Sequence, residues 1–286
     1  QQKKQSPAAL ASEAFFAAVY GDHPYAFPRE GDETTISSLS RSDIVAFHQK
    51  FYVAANAVVA IVGDLDRAQA KKLAEDLGQS LQQGEKPEPI PAVSALEKAE
   101  RIQKTHPSSQ THILLGQVGM KRGDTDYFPL YLGNHILGGS GLVSLLFKEI
   151  REKRGLSYSA YSYFSLMREN GPFLAGLSTR ADQADEALQV LRDSITSFIE
   201  HGPSKIALDA AKQNITGGFP LRIDSNSNIL GYVAVIGFYE LPLDYLETFT
   251  ASIEAVTVED IKEAFVRRIK PDKLVTVLVG PEAAVN

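Results

Sequence analysis

The chain is 286 residues long, 44% apolar and 22% charged, with a formal net charge of −6 and no Cys. Those shares belong to a globular protein of two domains, or of one domain and part of another. The acidic balance excludes a nucleic-acid surface of clustered Lys and Arg, and the missing Cys exclude disulfides, thiolate zinc sites and cysteine nucleophiles. No apolar run approaches the ~18 residues of a membrane span. The opening QQKKQSPAAL has no apolar core and does not read as a secretory signal.

In chain order, the first helical stretch is SPAALASEAFFAAVYGDHPY. It resembles SNSNILGYVAVIGFYELPLDY further on, with Tyr20 over Tyr239 at an offset of 219. Residues 36–63 align without a gap over residues 253–280, an offset of 217. Identities fall at Ile36/Ile253, Asp43/Asp260, Ile44/Ile261, Val58/Val275, Val62/Val279 and Gly63/Gly280. Each copy starts with a hydroxyl and a carboxylate three residues on, Ser40/Asp43 and Thr257/Asp260, a capping-box pattern with Asp in the place of Glu or Gln. Each continues with an apolar helical face: Ile44, Phe47 and Phe51, then Ile261, Phe265 and Ile269. Each ends on a β-branched run and a glycine, which predicts a buried closing strand at NAVVAIVGD (56–64) as well as at 275–280. The offset implies one and a half copies of a duplicated unit, with the first copy beginning roughly 115 residues before Gln1. The predicted division is residues 1–81 as the end of a first domain, 82–100 as a Pro-rich linker, and 101–286 as a complete second domain.

Within the second copy, THILLGQVGM predicts a strand and DYFPLYLGNHIL a helix. GLVSLLFKEIREK predicts an amphipathic helix through Leu142, Leu145, Leu146, Glu149 and Ile150, with Ser140 as its N-cap. LSYSAYSYFSL and PFLAGLST predict two strands paired across MRENG. A long helix follows, stopped at Gly202, and more helix precedes the last helix and strand. Paired strands followed by grouped helices define an α+β fold, each half a largely antiparallel sheet backed by helices.

Three constellations carry possible chemistry. None of the six His forms an i, i+4 pair; His106 and His112 stand six apart, and the others are isolated. No metal ligand is assigned. LGGSGL (137–142) lacks the lysine ending of a P-loop, and no glycine fingerprint follows the V-G-D of 62–64. The third is EIREKRGLSYSAYS: Arg151 near a helix end, Gly155 to stop the helix, and Tyr158 at the start of a strand. A tight turn there could aim a guanidinium and a phenol at one peptide carbonyl. Equally, cations suit helix C-termini and Tyr suits strands without any function.

At these residues the sequence resembles the pitrilysin/insulinase family of zinc metallopeptidases, in its processing-peptidase branch. LGGSGLVSLLFKEIREKRGLSYSAYSYF is similar to the family's second-half segment. HPYAFPREGDETTISSLSRSDIVAFHQKFYVAANAVVAIVGDLD resembles the stretch that closes its first half. The resemblance implies two homologous halves around a chamber, and zinc bound through H-x-x-E-H in the first half. That motif is absent from this sequence, so zinc belongs to the complete assembly and not to this segment. It implies substrate carbonyl binding for Arg151 and transition-state hydrogen bonding for Tyr158, which match the family's seven-residue spacing. It further implies an extended peptide substrate pairing with a sheet edge, and a zinc-bearing homologous subunit or an upstream portion as partner. For a bacterial source it implies the cell envelope. The rival reading is a non-catalytic structural or peptide-binding homologue.

Overall fold

The computed structural model describes residues 5–282. In chain order it contains helices α1 (Pro7–Tyr20), α2 (Glu33–Ser38), α3 (Arg41–Phe51) and α4 (Arg67–Gln79), then strands β1 (Glu100–Thr105) and β2 (Thr111–Val118). Helices α5 (Tyr127–Asn134) and α6 (Leu145–Phe147) follow, each running on into a π-helical turn, His135–Gly139 and Lys148–Glu152. Strands β3 (Ala160–Phe164) and β4 (Pro172–Thr179) precede α7 (Ala184–His201), α8 (Lys205–Gly218), α9 (Asn226–Tyr239), α10 (Tyr245–Ala255) and α11 (Val258–Arg268), and β5 (Val275–Gly280) closes the order.

The chain divides into two compact units. The first comprises residues up to 27, 91–215 and 252 onward. Its sheet has the order β1-β5-β2-β4-β3, parallel between β1 and β5 and antiparallel elsewhere. On one face lies α1, which starts on the Ser6 cap and Pro7 and buries Ala11, Ala14, Phe15 and Val19 against Leu114, Leu174, Val275 and Val277. On the other face α5, α7 and α11 meet, with Phe265 at 5.0 Å from Phe198 and edge-on to Phe164 at 6.2 Å. Coverage on both faces is why β5 is buried at every residue and reads as an unbroken apolar run. The architecture is therefore α+β, a five-stranded sheet backed by helices.

The second unit comprises residues 28–90 and 216–251. Here α9 lies against residue 58: a Cβ on Gly237 would stand 2.8 Å from Val58 Cγ1. Phe219 stacks on Phe249 at 4.6 Å, and Lys86 pairs with Glu240 at 3.4 Å.

Both capping boxes form. The Ser40 amide donates to Asp43 at 2.8 Å and the Thr257 amide to Asp260 at 2.8 Å, with the reciprocal bonds at 3.3 and 3.1 Å. Asp can close the box because its carboxylate still reaches the cap N–H. The equal patterns that follow diverge. Ile261, Phe265, Val275 and Val277 are wholly buried, whereas Ile44 is 61% and Val58 54% exposed. The strand predicted over 56–64 is not formed, because among the described residues nothing pairs with it as β1 and β2 pair with β5. A strand is a property of its neighbours as much as of its own side chains.

A second correction concerns the helix before the candidate site. Its N-cap is Ser144, which accepts from Phe147 N at 3.4 Å; Ser140 makes no side-chain cap bond, and Leu142 stands outside the helix, exposed. The turn at 141–143 intervenes and passes the capping role to the later serine.

Where α5 begins and α11 ends, Arg268 bonds Asp126 at 2.7 Å and Asp124 at 2.5 Å, while Arg267 bonds Asp126 at 2.8 Å. Burial alone would raise the Asp126 pKa, but the bonds and charges of Arg267 and Arg268 bring it below the ordinary value. Acids at one helix start and cations at another helix end also suit both dipoles. Replacing Arg268 with Ala should cost about 2 to 3 kcal/mol near neutral pH, because it takes the cation from the largely buried Asp124 and leaves Asp126 with Arg267 alone. Since the folded Asp126 pKa is depressed, its stabilisation is present above ~pH 4 and fades as the pH falls through the folded value. Urea unfolding of parent and variant should therefore show a gap that narrows in acid.

Candidate functional site

The loop after α6 is built to hold two side chains in place. Gly155 takes φ 63°, a left-handed conformation that ends the π-helical turn without a Cβ penalty. Its N–H bonds Arg151 O at 2.9 Å, and Leu156 N bonds Ile150 O at 3.0 Å. Beyond the turn, Thr179 of β4 donates to Leu156 O at 2.5 Å. Ser157 is buried, with Oγ 2.7 Å from Ser178 O and 2.8 Å from Ser159 O, and it accepts from Ser159 N at 3.3 Å. The backbone before Tyr158 is thereby pegged to the sheet and Ser159 after it is tied to Ser157, while the Tyr158 side chain stands 82% exposed.

Arg151 and Tyr158 come together as their spacing predicts. Arg151 Nη1 donates to Tyr158 O at 3.3 Å, and its guanidinium carbon lies 5.8 Å from the centroid of the Tyr158 ring. Tyr158 itself lies two residues before β3 and does not open it. The neighbouring cations are used otherwise. Glu149 binds Lys153 at 2.6 Å and Arg154 at 2.9 Å, and the Lys153 bond, then the Arg154 bond, hold its pKa low against partial burial. Sequence reasoning missed Ser157, Thr179 and Phe147. Only the last had a local signal, its place four residues before Arg151.

The adjoining sheet edge is closed. Ser165 N bonds Pro172 O, which makes 161/176 and 163/174 the hydrogen-bonded rungs and turns the Ser162 N–H and C=O outward. Asn134 Nδ2 donates to that carbonyl at 3.1 Å, and Ser162 Oγ donates back to Asn134 Oδ1 at 2.7 Å. A Cβ on Gly138 would fall 2.4 Å from Ser162 N, so the π-helical turn sits directly on the strand. The expectation of a peptide pairing with an open sheet edge is not met at β3, because α5 and its turn occupy that edge.

Among the described residues no group of three or more His, Asp or Glu is placed to hold a metal ion. His23 bonds Pro91 O, His112 bonds Ser178 Oγ, and His201 bonds Ser197 O, all on separate parts of the chain. These residues do not fit a zinc site.

Residues 38–215 match the family described as the peptidase M16 inactive domain. The chain belongs to the peptidase M16 family. A Mycobacterium tuberculosis protein named as an uncharacterized zinc protease is 28% identical over 99% of this chain and 65% of its own length. An uncharacterized zinc protease of Bacillus subtilis is 24% identical over 79% of this chain and 54% of its own length. The crystal structure of a peptidase M16 inactive domain from Pseudomonas fluorescens is 38% identical, with TM-score 0.94, covering 100% of this chain and 68% of that one. A Helicobacter pylori protease, at 22% identity, shares the M16 fold with TM-score 0.87, covering 98% of this chain and 68% of that one. The chain thus spans 65% of the length of the mycobacterial relative. Among the described residues of this M16 chain, no helix is long and apolar enough to cross a membrane.

Proposed function

We propose that this chain is the substrate-binding portion of a zinc-dependent endopeptidase, with Arg151 gripping a peptide carbonyl and Tyr158 donating to the oxyanion that forms on it. The carrying observation is the pegged loop that presents an exposed guanidinium and an exposed phenol together. A fixed pair of donors aimed at developing negative charge lowers a hydrolytic barrier without reorganising. Zinc is held outside the described residues, by a homologous subunit or by a further portion of the same protein. With the β3 edge closed, an extended peptide meets Arg151 and Tyr158 through these side chains, and strand addition is left to another sheet edge.

The reading includes a duplication in which residues 1–81 end a first domain, 82–100 link, and 101–286 form a second. Its support is reciprocal: the repeat pairs α1 with α9 and 36–63 with 253–280. Each of these helices lies with the other copy's closing segment, α1 with β5 and α9 with Val58. The alternative, a non-catalytic structural or binding homologue, is favoured by the inactive-domain description of the matched family.

The test places the photo-reactive benzoylphenylalanine at position 158 in the complete zinc-bearing assembly, with a chelator present and a biotinylated mixture of extended peptides as probe. Cross-linking that unlabelled peptide competes away, and that is absent with the same group at Leu243, supports the proposal. Equal labelling at both positions removes it.

A further inference from the structure

Resting on the function just proposed, we infer that Phe147 is a positioning residue for Arg151: its ring is the seat that holds the guanidinium ready for a peptide oxygen. Phe147 is 7% exposed, on α6, with its N–H bound by the Ser144 cap. Arg151 follows four residues later, and its guanidinium carbon lies 4.9 Å from the Phe147 ring centroid. Residues so spaced are neighbours on a helix surface, and the ring face attracts the cation through its quadrupole.

The charges around this pair show why a ring serves better than an acid. Glu149 is taken up by Lys153 and Arg154. Among the described residues Arg151 has no carboxylate partner; its contacts are the two rings and the Tyr158 carbonyl. A carboxylate would occupy the same N–H fork that a substrate oxygen needs. A ring face holds the guanidinium from one side and takes none of its N–H groups, of which Nη1 is bonded to the Tyr158 carbonyl at 3.3 Å. Phe147 thus fixes where the cation points without neutralising it.

Two variants separate this role from ordinary packing. Phe147→Leu removes the ring, and pentafluorophenylalanine at position 147 keeps its size while reversing the charge of its face. In the complete assembly, cleaving a quenched-fluorescent mixture of extended peptides, both should raise KM about tenfold with kcat changed by less than about twofold. In the 286-residue chain, the Arg151 Nε–H resonance should shift in both variants, and the pentafluoro variant should keep the parent's melting temperature. An unmoved resonance and unchanged KM in the pentafluoro variant would overturn the inference even if Leu is destabilising. Arg151→Ala supplies the separate arm. If it raises KM while the pentafluoro ring does not, the proposed function stands and the seat falls. If it leaves KM and kcat at parental values, the proposed function itself fails.

Discussion

Ile261→Ala should destabilise the chain by about 3 kcal/mol, whereas Ile44→Ala should change stability by no more than about half a kcal/mol. The two residues are aligned in the repeat, and each stands four residues after its cap, Thr257 or Ser40. Ile261 is fully buried, and a Cβ on Gly133 of α5 would stand 2.7 Å from its Cγ2, so truncation leaves a cavity that the close-packed helices cannot collapse. Ile44 is 61% exposed, so truncation removes little apolar contact and gains slightly in helix propensity. The comparison also tests the duplication. In a protein of the relatives' full length, where residues like those of α5 and α7 would cover α3, Ile44→Ala should approach the cost of Ile261→Ala. Urea unfolding, read on the transition that exposes α11 or α3, supplies both numbers. Equal small costs for Ile44 in the chain and in the longer protein would argue that its helix face has no such cover.

What the sequence makes legible is what is decided locally. The capping boxes at Ser40 and Thr257 and the Gly202 stop of α7 rest on residues a few positions apart, the pairing of β3 with β4 on strands joined by one turn, and each is present. The 56–64 segment carries the same β-branched signal as β5 but forms no ladder, because pairing depends on strands far away in the chain. The sequence points to Ser140 as a cap, but the turn entered at Gly141, with φ 62°, moves the helix start on to Ser144. At the candidate site, the spacing of Arg151, Gly155 and Tyr158 was readable. The pegs were not: Ser157 meets Ser178 and Thr179 meets Leu156 across more than twenty residues, and Asn134 closes β3 at Ser162 over a similar gap. Phe147 was visible only as one more apolar helix position, since nothing in its spacing distinguishes a seat for a cation from a core contact.

The most direct measurement is steady-state cleavage of quenched-fluorescent peptides by the complete zinc-bearing assembly carrying Arg151→Ala or Tyr158→Phe. Tyr158→Phe keeps the ring and deletes a single donor to developing charge, so kcat should fall about a hundredfold with KM nearly unchanged. Arg151→Ala removes an interaction made with the bound peptide as well as with the transition state, so kcat/KM should fall about a hundredfold with KM sharing in the loss. Parental kcat and KM in both variants, with folding intact, would contradict a substrate-binding role for this loop.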